Sequence, residues 1–310
     1  MTVTDTARES VAAALEQGKV ESHLHPTGSY DVADHAAPTG REEIWRFTPL
    51  KRLKSMASAA VFAGGPSVVE VTAPEGVTVE SVTGAPAREL RGASGFKPNT
   101  LFGARVLAEV PETLLVDVPA EAVVAEPVVV HVDGRDADNT EAAHVLLRFG
   151  RFSQAVVVLR HTGSAALTQV VEIVVEDGAQ VSVVTLQDWA DDAVHGGQRS
   201  GLGGRGAQVK SGTAPLGGAA GRPQGNFRHD ATYRHAAISF GGDIVRMDAN
   251  VRFAAPGGSA ELLGLYFADA GQHIEHRLFV DHNQPKTSSN AVYKGALQGE
   301  KAHTVWVGNV

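Results

Sequence analysis

Three histidines within ten residues, His273, His276 and His282, are the side chains whose type and spacing best fit chemistry. Histidine is a common metal ligand and titrates near neutral pH. On an extended strand, His276 and His282 would share one face about 20 Å apart, too far to bind one metal ion unless a turn intervenes. We therefore predict that these histidines are mainly structural, and we keep each of the three as a candidate metal ligand.

The other face of the same segment alternates in charge. On a strand, His273, Glu275, Arg277, Phe279 and Asp281 would lie together. This pattern predicts a ladder of alternating charge at the protein surface. The histidines that stand singly elsewhere are expected at the surface or in turns, namely His131, His144, His161 and His195.

Composition excludes several kinds of partner and site. The 310 residues contain no cysteine, so they form no disulfide and supply no thiolate to a metal. The net charge of -8 and the lack of clustered Lys and Arg argue against nucleic-acid binding. No run approaches the roughly 20 apolar residues that span a bilayer, and the N-terminus has no basic segment followed by an apolar one, so we predict a cytoplasmic protein without a membrane partner.

Glycine-rich sequence between residues 196 and 225 imitates nucleotide-binding motifs. The run Gly201-Leu202-Gly203-Gly204-Arg205-Gly206 fits G-x-G-x-x-G, but no helical pattern follows that could bind a pyrophosphate. The stretch has almost no large apolar side chains to offset its ordering entropy, so a mobile loop is predicted at 196–225. Neither a G-x-S-x-G elbow nor paired carboxylates indicate a self-contained catalytic site elsewhere.

The N-terminal third carries helical and loop signals. Apolar spacing predicts a short helix over 5–17 that ends at Gly18, and the Pro and Gly content of 20–40 predicts a loop. Residues 41–56 repeat apolar side chains every third position and predict a helical turn. We expect Trp45 and Phe47 to anchor this turn in an apolar groove, with Arg46 pairing at the surface.

From about residue 67 the apolar pattern has the period of strands. Residues 170–175 predict a strand buried on at least one side, and glycine turns recur at intervals of about 13 to 16 residues. Helical patterns between the strands are missing, which disfavours a βαβ fold. A sandwich and a solenoid of stacked coils both fit this spacing, and periodicity alone leaves the choice open.

A resemblance to a known family decides between them. The segments at 264–270, 292–297 and 305–308 resemble the core of the SufB/SufD family, scaffold subunits of iron-sulfur cluster assembly. Residues 272–282 and 43–50 look most like SufD of the actinobacterial type. The resemblance implies a mainly β, right-handed parallel β-helix with N-terminal helical segments. It also implies an N-terminal region at 1–60, a β-helix core at 61–310, and a C-terminal helical domain of the family that lies beyond Val310.

The same resemblance implies a function. A SufD-like chain is expected to be a non-catalytic subunit that pairs with a SufB-like subunit and recruits a SufC-like ATPase. The nascent cluster is then shared with the partner, which supplies the sulfur ligands, and this chain alone binds no cofactor. The interface is expected near the C-terminal strands and beyond Val310, so the 310-residue form is expected to be a poor scaffold that self-associates through its last, apolar strand.

One alternative belongs to a different class of protein. A carbohydrate-active or carbohydrate-binding β-helix would present carboxylates along a groove or an acidic calcium site. The sequence offers scattered acids such as Asp188, Asp191 and Asp192. This alternative is weaker because those residues form no recognisable motif.

Overall fold

The computed structural model describes residues 28–57, 62, 67–95, 97–203 and 231–310. Three short 3-10 helices come first, at Val32–Asp34, Glu43–Trp45 and Leu50–Ala57. The last two coincide with the helical turn predicted at 41–56. Two α-helices follow, α1 at Gly84–Leu90 and α2 at Leu101–Glu109. The helix predicted at 5–17 lies outside the described residues.

Thirteen strands form one sheet in the described part of the chain. They are β1 (Val68–Thr72), β2 (Thr78–Thr83), β3 (Glu112–Val118), β4 (Val128–Phe149), β5 (Gln154–Val175), β6 (Gln180–Trp189), β7 (Val194–Gly203), β8 (Thr232–Gly241), β9 (Ile244–Phe253), β10 (Ser259–Ala268), β11 (His273–Asp281), β12 (Ser288–Leu297) and β13 (His303–Asn309).

The strand pairing is that of a parallel β-helix. The first half of β5 pairs with β6, and the second half pairs with β7. From there β6, β8, β10 and β12 stack in parallel on one side, which we call face 1, while β7, β9, β11 and β13 stack on the other, face 2. The coils number about six, which confirms the predicted parallel β-helix over the sandwich. Among the described strands, antiparallel pairing is confined to β1 with β4 and β2 with β3.

Alternate residues of the long strands point into the β-helix and build its main apolar core. Val157, Val183 and Leu262 are examples that are almost completely buried. Each such side chain contributes about 1.5–3 kcal/mol on leaving water. Because the coils stack in register, every inward position packs against the equivalent position of the next coil.

One turn shows why glycine recurs between the strands. Gly241 ends β8 with a φ of 68°, in the left-handed region that glycine adopts without strain. A Cβ at this position would lie 2.1 Å from the carbonyl oxygen of Trp189 in the preceding coil. Glycine therefore permits both the turn and the close approach of the two coils.

A second layer covers the outer side of face 2. Trp45, Leu53 and Met56 from the N-terminal segment pack with Phe102 of α2 against the starts of β7 and β9. Farther along, Val106 and Leu107 of α2 pack against Val170. The predicted strand at 170–175 is thus part of β5 and is buried on both of its sides.

The mobile loop predicted at 196–225 is wrong for residues 196–203, which belong to β7. This strand is hydrogen-bonded on both sides, to β5 and to β9. The ladder and the burial of Gln198, Arg199 and Ser200 order the glycines, although the local composition lacks apolar side chains. The rest of the predicted loop, which includes the second half of the G-x-G-x-x-G run, lies outside the described residues.

Candidate functional site

Two polar clusters, both buried except at His303, lie on opposite sides of face 2. We call the first the outer network, which lies between the N-terminal segment and face 2 and consists of Thr48, Arg246, Asp248, His273, Glu275, Arg277 and His303. The second, the inner cluster, lies inside the β-helix and includes His161, Gln187, Trp189, His195, Arg199, Tyr233, His235, Ser239 and His276. Adjacent residues of one strand reach both clusters because side chains alternate across a strand.

Glu275 is the centre of the outer network. Its Oε1 accepts hydrogen bonds from Arg277 Nε at 2.6 Å and Arg246 Nη1 at 3.2 Å. Its Oε2 accepts from Thr48 Oγ1 at 2.7 Å and lies 3.2 Å from His273 Nε2. The side chain is fully buried, so these four partners replace the water that an ionised carboxylate would otherwise require.

Arg246 joins the N-terminal segment to β9. Its Nη1 donates to the carbonyl oxygen of Ile44 at 2.8 Å, and its Nη2 donates to Asp248 Oδ2 at 3.1 Å. The guanidinium carbon also lies 3.9 Å from the centre of the Trp45 ring, a cation–π contact. One arginine thereby fixes the position of a segment about 200 residues away in sequence.

The charged ladder predicted at the surface is therefore wrong in its location. His273, Glu275, Arg277 and Phe279 are all buried, and among the five predicted members Asp281 alone is exposed. The covering N-terminal segment contributes the carbonyl and hydroxyl groups that satisfy the charges. Alternation of charge along a strand records which residues share a face but not what covers that face.

The two carboxyl groups of the outer network are shifted in opposite directions. Burial raises the pKa of Glu275, but the charge of Arg246 and the hydrogen bonds from the other donors outweigh it, so this pKa lies well below its ordinary value. Burial raises the pKa of Asp248 above its ordinary value, and the attraction of Arg246 only partly opposes this. Glu275 is accordingly the more acidic of the two carboxyl groups.

A relay of imidazoles leads from Glu275 to the surface. Since a carboxylate only accepts, His273 Nε2 carries the proton, and His273 Nδ1 accepts from His303 Nδ1 at 2.9 Å. Burial and the neighbouring His273 lower the pKa of His303, so its ring is neutral at neutral pH with Nε2 as its remaining acceptor. His303 is exposed, and this nitrogen can accept a proton or donate one lone pair to a metal ion.

His303 was not among the residues that the sequence indicated, although a signal exists. It follows His273 by thirty residues, and the two are direct partners in the register of β11 and β13. Histidines separated by one coil of a β-helix stack on each other, and here the ring centres are 4.9 Å apart. Recognising this pair requires the coil length, which the turn spacing alone did not establish.

His276 points the opposite way, into the inner cluster. Its Nε2 lies 3.0 Å from Ser239 Oγ, and its ring stacks on Tyr266 at 5.3 Å between centres. Burial, and then the charge of Arg199, lower the pKa of His276 to about 4. The ring is therefore neutral and enclosed at neutral pH.

The structure does not bring the three candidate histidines together. His273 lies beneath the N-terminal segment and His276 inside the β-helix. His282 follows the end of β11, exposed, with its two ring nitrogens 2.8 Å from Thr287 Oγ1 and Ser289 Oγ. Within the described residues no group of three or more His, Asp or Glu side chains is arranged to hold a metal ion. A role in metal binding stays a prediction for each of the three.

The surface or turn positions predicted for the solitary histidines are mostly wrong. His144, His161 and His195 are buried in strands, where surface or turn positions were expected, and His131 is half-buried in β4. His144, for example, lies 3.0 Å from Glu172 Oε2. Its partner comes from the adjacent coil, so no local pattern reveals it.

Acid is expected to destabilise the protein through its inner histidines. Burial lowers the pKa of His161 and His235 to about 3 and that of His276 to about 4. Below about pH 6.5 these histidines bind protons in the unfolded chain but not in the native state. Each of them therefore removes about 1.4 kcal/mol of stability per pH unit until the pH reaches its pKa in the folded state. Replacing His276 by glutamine should reduce this slope of stability against pH by about the contribution of one histidine between pH 6 and 4.5. Urea unfolding at several pH values measures it.

The exposed His282 supplies the control for this experiment. Because His282 is exposed, the substitution His282→Gln removes a histidine without changing the enclosed cluster. If His276→Gln and His282→Gln change the slope equally, enclosure of His276 is not the cause.

Comparisons with known proteins give the remaining observations. A family model described as "SUF system FeS cluster assembly, SufBD core domain" matches residues 131–227 and 221–310. An iron-sulfur cluster assembly SufBD family protein of Mycobacterium leprae is 40% identical over 307 residues, which cover 97% of this chain and 70% of that protein. SufBD family proteins of Mycobacterium bovis and Mycobacterium tuberculosis are 39% identical over 302 residues, covering 94% of this chain and 69% of theirs. These matches favour cluster assembly over the carbohydrate-active alternative.

Among the described helices, none is long and apolar enough to cross a membrane.

Proposed function

We propose, since this chain belongs to the SufBD family of iron-sulfur cluster assembly proteins, that it acts as a SufD-like scaffold subunit and not as an enzyme. It pairs with a SufB-like subunit and recruits a SufC-like ATPase, which performs the ATP hydrolysis. The proposal places this assembly in the cytoplasm, without nucleic acid or membrane as a partner.

The ligand chemistry of the chain supports a shared cluster. Iron-sulfur clusters are held mainly by cysteine thiolates, and these 310 residues contain none. The nascent cluster, which is the cargo of the complex, then takes its thiolates from the SufB-like subunit. This chain forms part of the surface at which the cluster is built and supplies at most imidazole or carboxylate ligands.

An exposed apolar patch on face 1 carries the pairing proposal. Leu263, Leu265 and Phe267 project outward from β10, and Val292 projects beside Leu263 from β12. Contiguous apolar patches on a protein surface commonly mark interaction sites. This patch lies on the late strands, where the sequence placed the interface.

The strand next to the patch extends it. In the register of β8 and β10, Ile238 lies beside Leu265 and Phe240 beside Phe267. Lys294 is exposed at the margin of the patch, as the sequence predicted for an outward residue of a late strand. An apolar centre with a charged margin is the usual anatomy of a protein–protein interface.

Capture of the two proposed partners tests the function. The chain should be co-expressed with the SufB-like and SufC-like proteins of its own genome and recovered through a tag on the SufB-like subunit. Leu265, 48% exposed, is the residue to change, and Leu265→Asp should weaken capture by about tenfold or more, since a charge is then desolvated in the interface.

Val156 provides a matched control on the same side of the β-helix. It is an outward residue of β5 with 38% exposure, several coils away from the patch. Val156→Asp should leave capture unchanged. Failure of the unmodified chain to bind the SufB-like subunit would refute the pairing proposal, and equal losses in the two variants would refute the position of the interface.

A further inference from the structure

An arginine without a partner lies inside the β-helix. Arg199 is an inward residue of β7 and is 3% exposed. None of its three guanidinium nitrogens has a hydrogen-bond partner among the described residues, and neither ring nitrogen of the buried His195 has one. A buried charge without compensation is among the costliest features a fold can contain.

Gly197 lies between His195 and Arg199 on the inward row of β7, and the two side chains approach each other beside it. A Cβ on Gly197 would lie 3.5 Å from His195 Nε2 and 3.8 Å from Arg199 Nη1. The two orphaned nitrogens therefore lie near one point beside the strand. A single small ion between them can accept a hydrogen bond from each.

The groups around Arg199 leave its charge uncompensated. Burial lowers the pKa of Arg199 to about 10, so the guanidinium is still protonated at neutral pH. The charge of Arg199 contributes to lowering the pKa values of His161, His195, His235 and His276, which burial lowers first. The four imidazoles facing it are thus neutral.

The tyrosines nearby do not supply a negative charge either. Burial raises the pKa of Tyr233 above its ordinary value and that of Tyr293 to about 12, so both hydroxyl groups are protonated. In the described parts of β5 to β11, the inward positions carry no Asp or Glu. The cluster has a net positive charge in an interior from which water is largely excluded.

We propose that Arg199 and His195 bind a small monovalent inorganic anion between their side chains, beside Gly197. The anion accepts hydrogen bonds from the guanidinium and from the N–H of His195, and it neutralises the charge inside the β-helix. We expect an ion of about the dimensions of chloride, because the side chains of the inner cluster are almost completely buried and leave little room between them.

Chloride and bromide serve as the probes. In thermal unfolding at constant ionic strength, replacing gluconate by chloride should raise the unfolding midpoint by about 5 °C if chloride is well above its dissociation constant. Crystals grown in bromide should show an anomalous scattering peak between His195 and Arg199. No chloride dependence, or bromide crystals without an anomalous peak between the two side chains, would overturn the proposal.

Two variants and a control separate this site from general salt effects. Gly197→Ala places a Cβ 3.2 Å from His195 Cε1, which displaces the imidazole from the anion, and it should abolish the chloride dependence of the midpoint. Arg199→Gln removes the charge and should do the same. The exposed Arg160 offers a control, since Arg160→Gln should keep the full chloride response. An equal response in Gly197→Ala and the unmodified protein would overturn the proposal, even if Arg199→Gln fails to fold.

Discussion

Replacing Glu275 by glutamine is expected to lower the free energy of unfolding by about 3–5 kcal/mol. The substitution keeps the size of the side chain but removes the charge that Arg246 and Arg277 face in the buried outer network. The negative charge that compensates two guanidinium groups is then missing. In addition, the NH2 group of the glutamine amide faces groups that are themselves hydrogen-bond donors. The midpoint of urea unfolding, compared with that of the unmodified protein, measures the loss.

An exposed ion pair supplies the control for Glu275. Glu261 pairs with Arg234 at 3.2 Å with both side chains largely in water, so Glu261→Gln should cost less than about 1 kcal/mol. Low pH should reduce the contribution of Glu275 to stability. Its pKa is depressed in the folded state, so its contribution is complete above the unfolded pKa of about 4.3 and is lost as pH falls below that value. A Glu275→Gln variant as stable as Glu261→Gln would contradict the central role of this carboxylate.

Replacing Trp45 by alanine is expected to cost about 3–5 kcal/mol and to loosen the N-terminal segment from the β-helix. Trp45 is buried, meets Phe102 edge-on at 5.3 Å between ring centres, and lies under Arg246. Its removal leaves a cavity and exposes the outer network to water. Limited proteolysis within residues 41–57, together with urea unfolding, measures both effects.

Phe47 is the matched control and also corrects the sequence. Both aromatic residues of this turn were predicted to anchor it, but Phe47 is 44% exposed and its ring contacts Arg46. Arg46 pairs with Glu43 at the surface, as predicted. Phe47→Ala should therefore change stability by less than about 0.5 kcal/mol. Equal losses for Trp45→Ala and Phe47→Ala would mean that the anchor is not Trp45.

The distribution of covered and exposed faces bears on the proposed scaffold role. The outer side of face 2 is occupied by the N-terminal segment and α2, and its charges are satisfied there. Face 1 exposes the apolar patch around Leu265. A partner that binds apolar surface is therefore expected at face 1. Glu275→Gln and Trp45→Ala should reduce stability without directly removing that surface.

The sequence by itself determined that the fold is built mainly of strands. Alternating valines such as those of residues 170–175, with glycines at the turns, predict strands because side-chain alternation is a local property of the backbone. The position of Gly241 is also local, since its left-handed conformation needs no knowledge of distant residues. The choice of a β-helix over a sandwich came from family resemblance, because turn spacing fits either.

Only the tertiary structure decided what each face of a strand meets. Glu275 and His276 are neighbours in sequence, yet one is satisfied by Thr48, more than 220 residues away, and the other by Ser239 inside the β-helix. Residues 196–203 have the composition of a loop, but strands on both sides order them and bury Arg199. Burial and hydrogen bonding depend on contacts between coils and with the covering segment, and a one-dimensional pattern records neither of these contacts.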